Sequence, residues 1–177
     1  MKKLILDRDD PTLRLIARPV LVSEIGSPKL KGVIALMKQA LQAEEDGVAI
    51  AAPQVGESLR LFIIKGSTLA LAKGEGVKGK KNPEDLVFIN PEIVKVSKKR
   101  RKMEEGCLSI RWLYGQVARH EKVSMTAFNE GGKAVSVDAS GLLAQIFQHE
   151  IDHLDGILFT DKAEDIRDLP PSEPNKE

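Results

Sequence analysis

Apolar residues recur at three- and four-residue spacing through Leu30, Val33, Ile34, Met37, Ala40 and Leu41, which predicts a helix over about 28–45 with one buried stripe. Ser27 is placed to cap it, Pro28 suits its first position, and Gly47 lies just beyond its end. A second stripe, Leu142, Leu143, Ile146, Phe147, Ile151 and Leu154, predicts a helix over about 140–154, capped by Ser140 and stopped by Gly156. Between the two the period changes. Leu61–Ile64, Leu86–Ile89 and Ile93–Val96 are short β-prone runs, each bounded by Gly, Pro or Asn. Val123–Phe128 alternates, then turns through Asn129–Lys133 into Ala134–Val137 as a hairpin would. Residues 66–85 read as an exposed loop. The expected fold is α+β: antiparallel or mixed sheets around a central C-terminal helix, with an N-terminal helix beside them. No repeat or linker divides the chain, so one domain is expected over 1–165 and a flexible polar tail over 166–177.

Charge adds mainly exclusions. The 177 residues carry 27 basic and 26 acidic side chains, so no overall field favours DNA or a membrane as partner. Only three apolar residues precede the first return of charge, too few for a secretory signal. No run approaches the roughly 18 apolar residues of a membrane span. The expected location is the cytoplasm. A single cysteine excludes an internal disulfide and agrees with a reducing compartment. Cys107, His120, His149 and His153 are therefore the whole stock of thiol and imidazole ligands.

The strongest chemical signal lies on the second predicted helix, His149-Glu150-Ile151-Asp152-His153. Positions i and i+4 share a helix face, so both imidazoles can address one ion. Glu150 is then placed to handle the proton of an activated water without being a ligand. A catalytic site usually has three protein ligands, so one more is needed. Proteases with a third histidine six residues on would require it at position 159, where this chain has Phe159. Glu164 and Glu173 are conceivable ligands, but Glu173 falls in the proline-rich tail. His120 sits in Arg119-His120-Glu121-Lys122, which reads as a solvated strand edge. Cys107 is the better candidate: it lies in Glu105-Gly106-Cys107-Leu108-Ser109, and a thiolate is a strong ligand for a borderline divalent metal. Taken alone it is more readily a small buried hydrophobe. The segment Gly47-Val48-Ala49-Ile50-Ala51-Ala52-Pro53-Gln54 offers small residues for close backbone approach and Gln54 as an amide donor for an oxyanion. It also reads as a tight helix-to-strand connection.

In this order, residues 47–54, 105–109 and 148–153 resemble the three motifs of the peptide deformylases, and the resemblance runs from about Asp10 to Asp161. It implies that Cys107, His149 and His153 bind one divalent metal ion, natively Fe2+, with Zn2+, Ni2+ or Co2+ as alternatives. It implies removal of the formyl group from the initiator methionine of nascent polypeptides, releasing formate, with Glu150 as general base and acid. Gln54 and the backbone N–H of Leu108 would face the oxyanion. Val48, Met103, Leu142 and Ile146 would line the methionine pocket, and the backbone of Gly47, Val48, Ala49, Glu105 and Gly106 would pair with the peptide as an added strand.

Two departures from the motifs stand out. Ala49 replaces a glycine where peptide is expected, and Arg111-Trp112 follows Ile110 where the family often has Pro-Gly; Trp112 either caps the cleft mouth or covers a loop. They are the only support for a second reading, a non-catalytic metal- or peptide-binding relative. The run Lys98-Lys99-Arg100-Arg101-Lys102 is a candidate for transient ribosome contact through RNA phosphates, or simply a solvated strand end.

Overall fold

The computed structural model describes residues 4–72 and 84–171. Helix α1, Pro28–Ala43, starts as its sequence dictates: Ser27 Oγ accepts from the Leu30 N–H at 3.2 Å, and Pro28 takes the first turn. The predicted stripe, Leu30 through Leu41, is its buried face. A five-stranded antiparallel sheet follows in the order β1-β2-β3-β6-β7: β1 is Ala49–Ala51, β2 Leu61–Ile64, β3 Leu86–Val96, β6 Lys122–Phe128 and β7 Ala134–Ser140. A second antiparallel sheet orders β4 (Arg100–Gly106), β5 (Leu113–His120) and β8 (Glu164–Asp168). Helix α2 is Gly66–Ala72, and helix α3, Gly141–Leu154, carries the histidine motif. This is the expected α+β architecture.

The unbroken apolar run of β2 reflects burial on both sheet faces. Leu61 and Ile63 meet Met37 and Leu41 on the α1 side, whereas Phe62 and Ile64 join Phe88, Met125 and Phe147 on the α3 side. Phe88 lies 5.1 Å from Phe62 and 5.5 Å from Phe147 between ring centroids, locking α3 to the sheet. From the other side Gln148 ties α3 to β5: it accepts from the His120 N–H at 3.0 Å and donates to the His120 carbonyl at 3.0 Å. The helix is thus held between the two sheets.

Several expectations change. Leu86–Ile89 and Ile93–Val96 are one strand, broken in register around Asn90-Pro91. Asn90 adopts φ +50 and exchanges two hydrogen bonds with the Val20 backbone, so the interruption is a bulge that fastens the N-terminal segment. The loop expected over 66–85 begins with α2, too short for its period to show, whose first N–H donates to Asp85 Oδ1; residues 73–83 of that expectation lie outside the described residues. Ser140 makes no cap hydrogen bond, because it is the last residue of β7. Gly156 does stop α3: its φ is +71, and a Cβ there would stand 2.6 Å from the Arg14 carbonyl oxygen. Residues 166–168, placed in the polar tail by sequence, pair with β5 as part of β8; every residue of β8 is exposed, so no apolar alternation marked it. No helix among the described residues is long and apolar enough to cross a membrane.

Candidate metal centre and active site

The edge strands of the two sheets, β1 and β4, flank a cavity of about 350 Å³ that is closed by α3 and by the turn from Cys107 into β5. Helical spacing brings His149 and His153 to one face, and the turn after β4 delivers Cys107. Their ligand atoms all lie within 4.8 Å of one another, with Cys107 Sγ 3.2 Å from His153 Nε2. A tetrahedral ion at ordinary metal–ligand lengths would separate sulfur and nitrogen by roughly 3.5 Å. The donor set, one thiol and two imidazoles, therefore fits a single borderline divalent ion, with a coordination position left for water.

Electrostatics agree with that use. Burial works against the Cys107 thiolate, but the neighbouring imidazoles outweigh it and bring the thiol down to about 5. Burial also opposes the His149 imidazolium, which the Cys107 sulfur and the Glu105 carboxylate raise well above 6.5. The cluster already favours a positive charge next to a thiolate, the charge a cation supplies.

Glu150 behaves in the opposite way. It is 4 % exposed, and burial pushes its carboxyl up to about 7 despite the histidines beside it. Among the described residues its Oε2 is buried without a hydrogen-bond partner, as is His153 Nδ1. A buried carboxyl oxygen on the wall of a cavity, poised near neutrality and unpaired in the protein, has the properties of a proton-transfer group.

Below the cluster lies an ion network. Arg119 donates to both oxygens of Glu105, at 2.7 and 2.9 Å, and to Asp152 at 2.6 Å. Lys162 donates to the other Asp152 oxygen at 2.6 Å. Glu105 Oε2 also accepts from His149 Nδ1 at 2.9 Å, which leaves Nε2 to face the ligand cluster. Burial alone would raise the Glu105 carboxyl, but Arg119 and His149 overturn this and hold it at about 2.

Gln54 is 2 % exposed; its Oε1 accepts from the Ala51 N–H at 2.9 Å, which turns Nε2 toward Ser109 Oγ at 3.2 Å and Cys107 Sγ at 3.5 Å. Leu108 lines the cavity, and its N–H has no hydrogen-bond partner among the described residues.

The match of the polypeptide deformylase family model extends over residues 2–168. The chain belongs to the polypeptide deformylase family. It is 43 % identical over 154 residues to a peptide deformylase of Halothermothrix orenii, covering 87 % of this chain and 88 % of that one. It is 38 % identical over 162 residues to a peptide deformylase of Carboxydothermus hydrogenoformans, covering 92 % and 93 %. Among solved structures, the class I type b peptide deformylase from Acinetobacter baumannii with Met-Ala-Ser bound superposes with a TM-score of 0.76 at 34 % identity, covering 89 % of this chain and 96 % of that one. This family member is a hydrolase, and Cys107, His149 and His153 are its possible metal-binding group.

Of the residues that the deformylase resemblance marked for peptide contact, the cavity gathers Gly47, Val48, Ala49, Glu105, Gly106, Leu142 and Ile146, together with Gln54, Cys107, Leu108, His149 and Glu150. Met103 is not among them. It stands two residues up β4 from Glu105, opposite Val117, one pleat farther from the cavity. Glu105 lines the wall with its carboxylate committed to Arg119 and His149; the role expected of it toward a peptide is through its backbone, which these bonds leave untouched. Ala49 is 5 % exposed and packs in the cluster beneath α3, so its methyl is largely core.

His120 stays outside the ligand group, its Nδ1 bonded to the Ser97 carbonyl at 2.6 Å. The strand edge read at Arg119 is wrong for that residue, which is 3 % exposed. Its odd-numbered place on β5, on the same face as Val117 and Gly115, was the available signal that it points inward. Sequence reading also passed over Asp46, Leu113, Tyr114 and Gln145, which line the cavity.

Proposed function

We propose that this protein removes the N-formyl group from the initiator methionine of nascent polypeptides, releasing formate and a free amino terminus. The observation that carries the reading is the buried, unpaired Glu150 carboxyl oxygen beside three clustered ligand atoms. A purely structural ion would have no use for such a group. Cys107, His149 and His153 are assigned as the holders of one divalent ion. When bound, that ion supplies Lewis acidity toward water and toward the formyl oxygen.

The remaining steps belong to the chain. Glu150 accepts a proton from the attacking water and delivers it to the departing amine nitrogen as the C–N bond breaks. The Leu108 N–H and the Gln54 amide donate to the oxyanion that forms on the former carbonyl oxygen. Glu105, held by Arg119, keeps the His149 ring turned toward the ion. The unpaired edges of β1 and β4 accept the peptide as an added strand, through the backbone near Gly47–Ala49 and Gly106. Val48, Leu142 and Ile146 receive the methionine side chain; Val48 and Leu142 are 43 and 44 % exposed, large apolar side chains open to the cavity.

We assign Fe2+ as the native ion on the family resemblance, since the donor set suits zinc, nickel and cobalt as well. A metal-ligating thiol, which oxidation would remove, supports assigning the protein to the reducing cytoplasm. Lys98–Lys102, all five exposed on and before the start of β4, are assigned to transient contact with ribosomal RNA phosphates. Unchanged ribosome binding after their neutralisation would dismiss that contact.

The test is formate release from formyl-Met-Ala-Ser by protein purified without oxygen and loaded separately with iron, nickel, cobalt or zinc. Release that tracks ion content supports the reading. No release with any of the four sinks it.

A further inference from the structure

The rim of the cavity carries an arrangement that the proposed chemistry does not use. Arg111 reaches across the mouth from the turn after Cys107 to the connector between α1 and β1. Its Nη1 donates to Asp46 at 2.5 Å, and its Nη2 donates to Glu44 at 2.6 Å and to Asp46 at 3.0 Å. Both ends of this tie are themselves fixed. The Glu44 carbonyl accepts from Gly47 N–H and from Lys65 Nζ, each at 3.1 Å. On the other side, the Ile110 N–H donates to the Cys107 carbonyl at 3.0 Å, and the Leu169 N–H donates to the Trp112 carbonyl at 3.0 Å. The guanidinium also lies over the Trp112 ring, 4.7 Å from its centroid.

Trp112 and Tyr114 are the only tryptophan and the only tyrosine of the chain, and both line this cavity. The Tyr114 ring lies over Gly106, where a Cβ would stand 2.7 Å from its Cε1. The groove therefore has an aromatic wall at the end of β4, beside the turn that carries Cys107, in addition to the apolar wall of α3. The acidic side chains on this part of the lining are Asp46, paired with Arg111, and Glu104, paired with Arg167; Glu44 shares Arg111 from outside the lining. Among the described residues, Arg111 is the one lysine or arginine that lines the cavity, and it is matched by Asp46 and Glu44.

Resting on the deformylase reading, we propose that Arg111 is a positioning residue that straps the two edges of the groove together and holds Trp112 as a selective wall. That wall favours formyl-methionyl peptides with an aromatic or large apolar side chain two residues after the methionine and disfavours acidic ones there. The physical cause is that a flat ring gains stacking area against Trp112 and Tyr114, whereas a carboxylate would be placed beside the like charges of Asp46 and Glu104. Lysine cannot replace the strap, because an ammonium lacks the planar fork that spans two carboxylates and stacks on the indole.

The test uses the ion-loaded enzyme with formyl-Met-Ala-Phe, formyl-Met-Ala-Asp and formyl-Met amide, and reads Trp112 emission on titration with Met-Ala-Phe and Met-Ala-Asp. The wild type is expected to bind Met-Ala-Phe about fivefold more tightly than Met-Ala-Asp, with a change in emission. In Arg111→Ala, Arg111→Lys and Asp46→Asn that preference should collapse. Their rise in KM for formyl-Met-Ala-Phe should exceed the rise for formyl-Met amide by at least about fivefold, with kcat changed less than KM. Asp46→Asn keeps the arginine and the Glu44 bond, so it reads the strap even where Arg111→Ala fails to fold. Equal losses on the amide and the tripeptide, or an unchanged preference in Asp46→Asn, would overturn the proposal. Absence of formate from the wild type would instead remove the deformylase reading, and the emission titrations would still decide whether this wall selects aromatic peptides.

Discussion

The floor and the rim of the cleft are both built from an arginine shared by two carboxylates, yet the two devices differ in kind. At the floor, the side chains of Arg119, Glu105 and Asp152 are 4, 2 and 12 % exposed. At the rim, those of Arg111, Glu44 and Asp46 are 20, 36 and 56 % exposed. Water has been removed from the first trio, so each member depends on the others for its charge. The second trio is largely solvated, so its members contribute direction more than energy. The same contrast separates the two glutamates of the site. Glu105 has a cation against it and is held at about 2, whereas Glu150 has no hydrogen-bond partner for one buried oxygen and rises to about 7. Burial alone sets neither value; the partner supplied with it decides the direction.

This contrast is open to attack at several points. The largest effect is expected from Glu150→Gln, which should lower kcat for formate release at least ~10²-fold while ion content stays unchanged. Wild-type turnover would remove Glu150 from the chemistry. Next is Arg119→Met, which leaves Glu105 and Asp152 without their shared cation. It should cost about 3–5 kcal/mol in urea unfolding, because uncompensated charge remains buried.

Glu105→Gln should weaken ion binding by about 10–100-fold in a chelator competition, since His149 loses the carboxylate that orients it. An unchanged affinity would leave Glu105 as scaffold only. The pH dependence of stability should separate the two glutamates in ion-free protein. Glu150 ionises near 4.5 when unfolded and near 7 when folded, so its contribution is fully present below 4.5 and is lost as pH rises toward 7. Glu105 has the opposite sign: its contribution is full above 4.5 and is lost as pH falls through about 2. Melting curves of wild type and Glu150→Gln should therefore diverge between pH 4.5 and 7. Parallel curves there would contradict the Glu150 assignment.

The smallest effect belongs to the rim. Arg111→Ala should change unfolding stability by no more than about 1 kcal/mol, and added salt should erase the difference. A loss as large as that of Arg119→Met would erase the distinction between rim and floor.

How much of this was legible depended on distance along the chain. The stripes of α1 and α3, the cap at Ser27, the stop at Gly156 and the hairpin of β6 and β7 are encoded in short windows, and they stand where periodicity put them. The α3 ligands were legible for the same reason: a helix converts a four-residue spacing into a shared face. β8 and α2 were not legible, because one is exposed throughout and the other is seven residues long. Met103 shows the weakness of carrying a role along a strand: two residues change a side chain's distance from the cavity without changing its face.

The sequence by itself determined the ligand inventory, the spacing that pairs two imidazoles, the glutamate between them and the membership of an α+β family. Those properties depend on which residues occur and on local geometry. Tertiary structure alone decided that Arg119 is buried under His149 and not solvated at an edge. It likewise decided that the Glu105 side chain serves the histidine, that Ala49 turns into the core, and that Arg111 closes the rim. Each of these is a contact between segments far apart in the chain, and burial and charge matching across such contacts exist only once the two sheets have closed on α3.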